Sequence, residues 1–137
     1  MLTGIGFVTG DPTLKLDYPY VSHAVTQIKA TTVGDLKWMS MMLPLHKGDT
    51  ITAIKLSYRN SSARSFISQI RLTSQLNPPI AMVRHDDGTD LLSTIPVTQT
   101  SVVNNLVVDN SIVLSLRLNF GNLSDMIEIG AVEIVYK

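Results

Sequence analysis

Apolar side chains recur at every second position in several short segments, and turn-type residues separate these segments. In residues 50–59, Ile54, Leu56 and Tyr58 share one face, while small and charged residues alternate with them. Successive side chains of a strand point to opposite faces of a sheet, so this period of two predicts a half-buried β-strand. No segment of ten or more residues shows the 3.6-residue period of an amphipathic helix. The chain is therefore predicted to be all-β.

Two further segments alternate clearly. Residues 65–72 place Phe66, Ile70 and Leu72 on the inward face, and residues 111–120 place five apolar side chains on one face. Less regular strands are predicted at 23–30, 36–43, 79–85, 91–97 and 101–108. About eight or nine short strands at such spacings are typical of an antiparallel two-sheet β-sandwich, and a jelly roll is the favoured topology.

The last predicted strand contains a break in its pattern. Ile127 and Ile129 are in phase with each other, whereas Val132 and Ile134 are one residue out of phase. An extra residue in one strand of a pair would return both halves to the core. A β-bulge is therefore predicted near Gly130, because glycine inside a strand often marks such a site.

The composition excludes several kinds of partner. The 137 residues suit a single domain, 1–137. Eleven basic residues balance eleven acidic ones, so no positive surface is available for nucleic acid. The absence of cysteine excludes disulfides and thiolate metal sites, and no apolar run is long enough to span a membrane. Charged residues make up 16% of the chain, which favours surface hidden in a homo-oligomer.

From residue 37 onward, the order of motifs resembles a group of all-β domains found in secreted or surface-exposed bacterial, archaeal and phage proteins. The shared features are KWMSMMLP, a glycine before a Thr-rich strand (KGDTITAIKLSYRNSSA), ISQIRL, the V-D-N turn of VVDNSIVLSLRL, and a final glycine-bearing strand, IEIGAVEIVYK. Members usually carry a Leu-Pro-x-Gly-Ala step, and residues 43–49 are two residues longer. The resemblance implies a β-sandwich that is at home in oligomeric or surface assemblies, and it implies no reaction.

A homo-oligomer is the preferred partner prediction, with a trimer ahead of a dimer by analogy with jelly-roll assemblies. The segment WMSMML puts apolar side chains on both faces of one strand, so Trp38, Met39 and Met41 are candidates for the interface.

The N-terminus has neither a basic region nor an apolar run, so no signal peptide is predicted in this chain. An extracellular or virion-surface location is nevertheless favoured by the resemblance.

Residues 84–92, RHDDGTDLL, crowd a histidine and three carboxylates into six positions. Asp86, Asp87 and Asp90 are the candidate metal ligands, and Ca²⁺ is the cation that such oxygen ligands would bind. Their spacing is not that of a calcium-binding loop, however. The preferred interpretation is a hairpin whose two-residue turn is Asp87-Gly88, and on that interpretation no cofactor is needed.

Histidines and serines allow a catalytic alternative. A small metal-dependent hydrolase would need two or more of His23, His46 and His85 in one pocket, and sequence alone does not show that they converge. No nucleophile motif such as G-x-S-x-G surrounds a serine. An enzyme is therefore not predicted.

Aromatic side chains allow a carbohydrate-binding alternative. Tyr18 and Tyr20 are the best exposed candidates for stacking against sugar rings, and Trp38 is the next, although core packing is the favoured role for Trp38. A lectin-like module would expose one of these rings beside polar side chains. The prediction is thus a non-enzymatic assembly or ligand-binding β-sandwich, with a carbohydrate-binding module as first alternative and a metal-dependent hydrolase as second.

Overall fold

A computed structural model describes residues 2–3, 6–17 and 25–137. These residues form ten strands and no α-helix, and they include no helix that is long and apolar enough to cross a membrane. The strands are β1 (Leu2–Thr3), β2 (Leu14–Asp17), β3 (Thr26–Ala30), β4 (Gly34–Met42), β5 (Thr50–Asn60), β6 (Phe66–Gln75), β7 (Ala81–Asp87), β8 (Val97–Val107), β9 (Ser111–Phe120) and β10 (Ile127–Tyr136).

The strands form two antiparallel sheets. Sheet A has the order β2-β3-β10-β5-β8, with β1 also paired to β10, and sheet B has the order β4-β9-β6-β7. From β3 to β10 the chain changes sheet at every connection except the one between β6 and β7. This arrangement of β3-β10-β5-β8 against β4-β9-β6-β7 is jelly-roll connectivity. The predicted β-sandwich is confirmed.

The core lies between the sheets and follows the alternation of the sequence. On β9 every second side chain from Ile112 to Phe120 is buried, and on β5 the same holds for Ile54, Leu56 and Tyr58. The predicted β-bulge is present, because the register between β10 and β5 shifts between Ile129 and Val132. Residues on both sides of this bulge therefore reach the core, as the pattern requires.

Strand β6 departs from the predicted pattern. The register between β6 and β9 shifts between Ile67 and Gln69, so that Ile67 and Ile70 are both buried. Phe66, predicted to point inward, is only half-buried. A bulge allows two inward side chains to lie three positions apart, and a strict period of two misses this.

The predicted hairpin at Asp87-Gly88 is wrong. β7 ends at Asp87 on the edge of sheet B, and the next strand, β8, belongs to sheet A. After β7 the chain continues along β6, where the Leu91 amide donates to the Ile67 carbonyl at 2.9 Å. Leu91 is buried, so tertiary packing of this side chain outweighs the local preference of an Asp-Gly pair for a tight turn.

Candidate functional site

A groove of about 350 Å³ lies on the outer face of sheet A. Its lining comes from β10, β5, β8 and the residues that precede β3 and β8: Val25, Ser57, Tyr58, Arg59, Pro96, Val97, Thr98, Glu128 and Gly130. Ligand sites are typically concave and combine apolar surface with a few polar groups. This groove has both, so it is the principal candidate site.

The groove runs across the strands, between two rows of outward side chains. One row contains Glu128 and Arg59, which are opposite each other in the β10–β5 register. The other row contains Gly130, Ser57 and Thr98, since Ser57 is opposite Thr98 and borders the bulge at Gly130. Antiparallel pairing thus brings together residues that are about 70 positions apart in sequence.

Arg59 and Glu128 form an ion pair at the wall of the groove. The Arg59 Nε donates to Glu128 Oε1 at 3.0 Å, and Arg59 Nη2 contacts the same oxygen. The Arg59 side chain is 48% exposed and that of Glu128 is 17% exposed. Among the described residues, no side chain hydrogen-bonds to Glu128 Oε2 or to Arg59 Nη1. One acceptor and one donor group are therefore available to a ligand side by side.

The opposite wall is small and polar. The hydroxyls of Ser57 and Thr98 share a hydrogen bond of 2.9 Å, and Gly130 contributes no side chain. Val25, Pro96 and Val97 add apolar surface. The groove therefore combines hydroxyl groups with apolar surface.

Of the ligand residues predicted from sequence, the structure describes Trp38, which does not line this groove. Tyr18 and Tyr20 fall outside the described residues, as does His23. Trp38 lies on the outer face of sheet B and not in the core, which corrects its favoured packing role. The Arg71 guanidinium stacks on its ring, 4.7 Å from the ring centroid, as a cation–π pair.

The predicted interface residues are divided between the two faces of β4. Met39 and Met41 are buried in the core, so their side chains are not on the surface that a second subunit would contact. Trp38 and Met42 point outward, and Met42 is 71% exposed. A strand of a sandwich has one inward and one outward face, which explains this division.

The three candidate metal ligands are not gathered around one point. Asp86 points outward, where it contacts Gln69 and lies 3.5 Å from Arg71 Nε. Asp87 instead accepts hydrogen bonds from Ser101 Oγ at 2.6 Å and the Thr89 amide at 3.0 Å. Asp90 is exposed. Across the described ranges, no three acidic or histidine side chains are placed to hold a metal ion.

His85 and Asp87 meet at Ser101, and this contact ties the two sheets together. Ser101 is buried on β8, and its Oγ lies 2.8 Å from His85 Nε2. Burial raises the pKa of Asp87, but the hydrogen bonds from Ser101 and Thr89 outweigh burial and lower it overall. In a catalytic triad, histidine lies between serine and the acid. Here serine is in the middle, so its proton is donated to Asp87.

His46 does not join His85. It is an exposed loop residue whose Nδ1 lies 3.9 Å from Asp49 Oδ2. The two described histidines therefore have different partners and do not share a pocket.

Sequence reasoning missed Arg59, Glu128 and their neighbours. Each occupies an outward position of an alternating strand, which is indistinguishable from ordinary solvated surface. The one available signal was Gly130, since glycine in a strand also marks close approach by a ligand or another chain.

The comparisons with known proteins bear on the fold. No family model matches the chain, and no curated protein matches it. Among solved structures, a carbohydrate-binding module, CBM4, is similar with a TM-score of 0.59 at 12% identity, over 95% of each chain. A CBM36 module in complex with calcium and xylotriose has a TM-score of 0.54 at 9% identity, over 98% of each chain.

A third similar structure is a family 29 carbohydrate-binding module, with a TM-score of 0.54 at 12% identity. It aligns over 96% of this chain and 78% of that one. At such low identity these likenesses establish the fold, a β-sandwich shared with several binding modules.

Proposed function

We propose that this protein is a non-catalytic module that binds a carbohydrate in the groove of sheet A. The observation that carries the proposal is the lining of the groove, where the Arg59–Glu128 pair is combined with apolar surface from Val25 and Pro96. A guanidinium donates and a carboxylate accepts, so two neighbouring sugar hydroxyls would satisfy the free groups of both side chains. The fold shared with carbohydrate-binding modules supports the proposal.

The number of carboxyl groups in the groove favours a binding role over glycoside hydrolysis. Glycoside hydrolysis usually needs two carboxyl groups that flank the scissile bond. Of the described residues that line this groove, Glu128 is the one that carries a carboxylate, and it is paired with Arg59. The proposal also places the protein outside the cell or on a virion surface, where polysaccharides are accessible.

The direct test is native gel electrophoresis in gels that contain a soluble β-glucan, xylan or mannan, with and without Ca²⁺. Retardation identifies the ligand, and calorimetry then gives its affinity. The variant Glu128→Gln should weaken binding by about tenfold, because a hydrogen bond to a charged group is replaced by a weaker one. Loss of retardation in EDTA would show that a bound cation is needed.

The matched control is Glu133→Gln. Glu133 lies on the same strand as Glu128 and is opposite Lys55, but it does not line the groove. Its substitution should leave the affinity unchanged. If none of the three polysaccharides retards the protein, or if both variants behave alike, the groove is not a carbohydrate site.

Homo-oligomeric assembly is a second candidate function. The edge strands β7 and β8 expose apolar side chains, with Val102 76% exposed and Val107, Met82 and Val83 about half exposed. Exposed apolar residues on sheet edges are typical of surfaces that associate. Light scattering tests this directly: a trimer of the 137-residue chain is expected, and Val102→Lys should dissociate it. A monomer at high concentration would contradict this candidate.

A further inference from the structure

The row of polar side chains beside the groove continues past it, toward the edge of sheet A. In the antiparallel register, Arg59 is opposite Glu128, Glu128 is opposite Gln27, and Gln27 is opposite Asp17. The neighbouring residues Ile28 and Ile127 are buried in the core. Because side chains alternate along a strand, Gln27 and Asp17 share the outer face with the Arg59–Glu128 pair.

Gln27 and Asp17 are not among the residues that line the groove. Gln27 is half-buried and Asp17 is exposed. Neither side chain has a hydrogen-bond partner within the described part of the chain, although the two residues are opposite each other in the β2–β3 register. An amide can both donate and accept, and a carboxylate accepts, so both groups are available to hydroxyls of a ligand.

We propose that Gln27 and Asp17 form an additional subsite for one linear carbohydrate chain, which lies across the strands from β8 to β2. This inference rests on the proposed function of the groove. Neighbouring strands are about 4.8 Å apart, so the groove itself spans roughly 10 Å, and the whole site from β8 to β2, across five strands, spans roughly 19 Å. The strand spacing is similar to the length of one sugar unit in an extended pyranose chain. A short oligosaccharide therefore fills the groove, and a longer one also reaches β3 and β2.

The two parts of the site offer a ligand different numbers of contacts. Across β8, β5 and β10 the chain would contact both walls of the groove, whereas across β3 and β2 it would contact the single row that contains Gln27 and Asp17. The groove subsites therefore hold the ligand first, and the additional subsite contributes to affinity only when the chain is long enough. Chain length is thus the property that separates the two parts of the site.

The experiment uses calorimetry with xylo- and cello-oligosaccharides of two to six units. Affinity should rise with length up to about five units, one for each strand from β8 to β2. Gln27→Ala and Asp17→Asn should each weaken binding of the longest oligosaccharides by about fivefold and leave the shortest unchanged. Glu128→Gln should weaken binding at every length, because all of them occupy the groove.

Lys15→Ala is the matched control for the new subsite. Lys15 is also exposed on β2 and points to the same face as Asp17, but it lies in the next outward row, opposite Lys29. It should have no length-dependent effect. Thermal unfolding of each variant confirms that the fold is kept, and Asp17→Asn preserves the shape of the side chain if Gln27→Ala proves unstable.

The outcomes separate the two proposals. If the oligosaccharides bind and Glu128→Gln weakens them, but affinity is independent of length or insensitive to Gln27 and Asp17, the additional subsite is overturned and the groove stands. If the Gln27 and Asp17 variants weaken short and long oligosaccharides equally, the subsite is also overturned. If no oligosaccharide binds, both proposals fail.

Discussion

Gly130 borders Ser57 across the β10–β5 pair, and a Cβ atom added to Gly130 would lie 3.9 Å from the Ser57 Cβ. This is an ordinary van der Waals distance, and Gly130 has no left-handed backbone conformation that would require glycine. A larger side chain is therefore compatible with the strand. Folding does not require glycine at this position. The missing side chain is better explained by the groove, which it leaves open.

Gly130→Val should fill the groove without unfolding the protein. A β-branched residue suits a strand, so the melting temperature should change by only a few degrees. The side chain would occupy volume that the proposed ligand needs, and affinity should fall by more than about tenfold. Calorimetry and thermal unfolding measure the two effects separately.

The control is Gly10→Val, because a Cβ at Gly10 meets nothing within 4 Å and the residue does not line the groove. Full ligand affinity in Gly130→Val would show that the ligand binds elsewhere.

The sequence predicted the sandwich because nearly every strand has one buried face. The alternation on β9 and the phase break on β10 both follow from which side chains are buried. The predicted strand and the predicted β-bulge are confirmed. The predicted turn at Asp87-Gly88 is wrong because long-range contacts outweigh the local preference: Leu91 pairs with Ile67 of β6, and Ser101 of β8 donates to Asp87. The groove depends on cross-strand register between distant segments, which a single alternating pattern does not contain.

Ser101→Ala should lower stability without affecting the groove. The substitution removes the hydrogen bond to Asp87 and the contact with His85. It leaves a partly buried carboxylate with one donor fewer, which costs about 1–3 kcal/mol in the free energy of unfolding. Urea denaturation measures this loss, and carbohydrate affinity should stay at the wild-type value. An unchanged stability together with lost binding would mean that Ser101 has a functional role.

Asp125 should make the protein sensitive to acid. The hydrogen bonds from Arg64, at 2.9 and 3.1 Å, lower the pKa of Asp125; burial opposes this, and Ser65 lowers the pKa further. An unfolded aspartate has a pKa near 3.9, so below about pH 4 the unfolded state takes up protons first. The stabilisation is present above that pH and is lost as the pH falls through the lower pKa of the folded state.

Asp125→Asn should therefore reduce the free energy of unfolding at pH 7 by roughly 2 kcal/mol and make its decrease in acid shallower. Urea denaturation between pH 7 and pH 3 measures both. Asp90→Asn, at an exposed position, is the control and should change neither. An Asp125 variant with the wild-type dependence on pH would exclude this ion pair as a source of acid sensitivity.

Trp38 distinguishes the groove from the aromatic platform predicted from sequence. It is the single tryptophan of the chain, and it lies on sheet B, whereas the groove lies on sheet A. A ligand in the groove should leave the emission maximum of Trp38 and its quenching by iodide unchanged, since the core separates the two faces. Trp38→Phe should bind the same carbohydrate with the same affinity. A shift in emission on titration, together with weaker binding by Trp38→Phe, would instead place the ligand beside Arg71 on the opposite sheet.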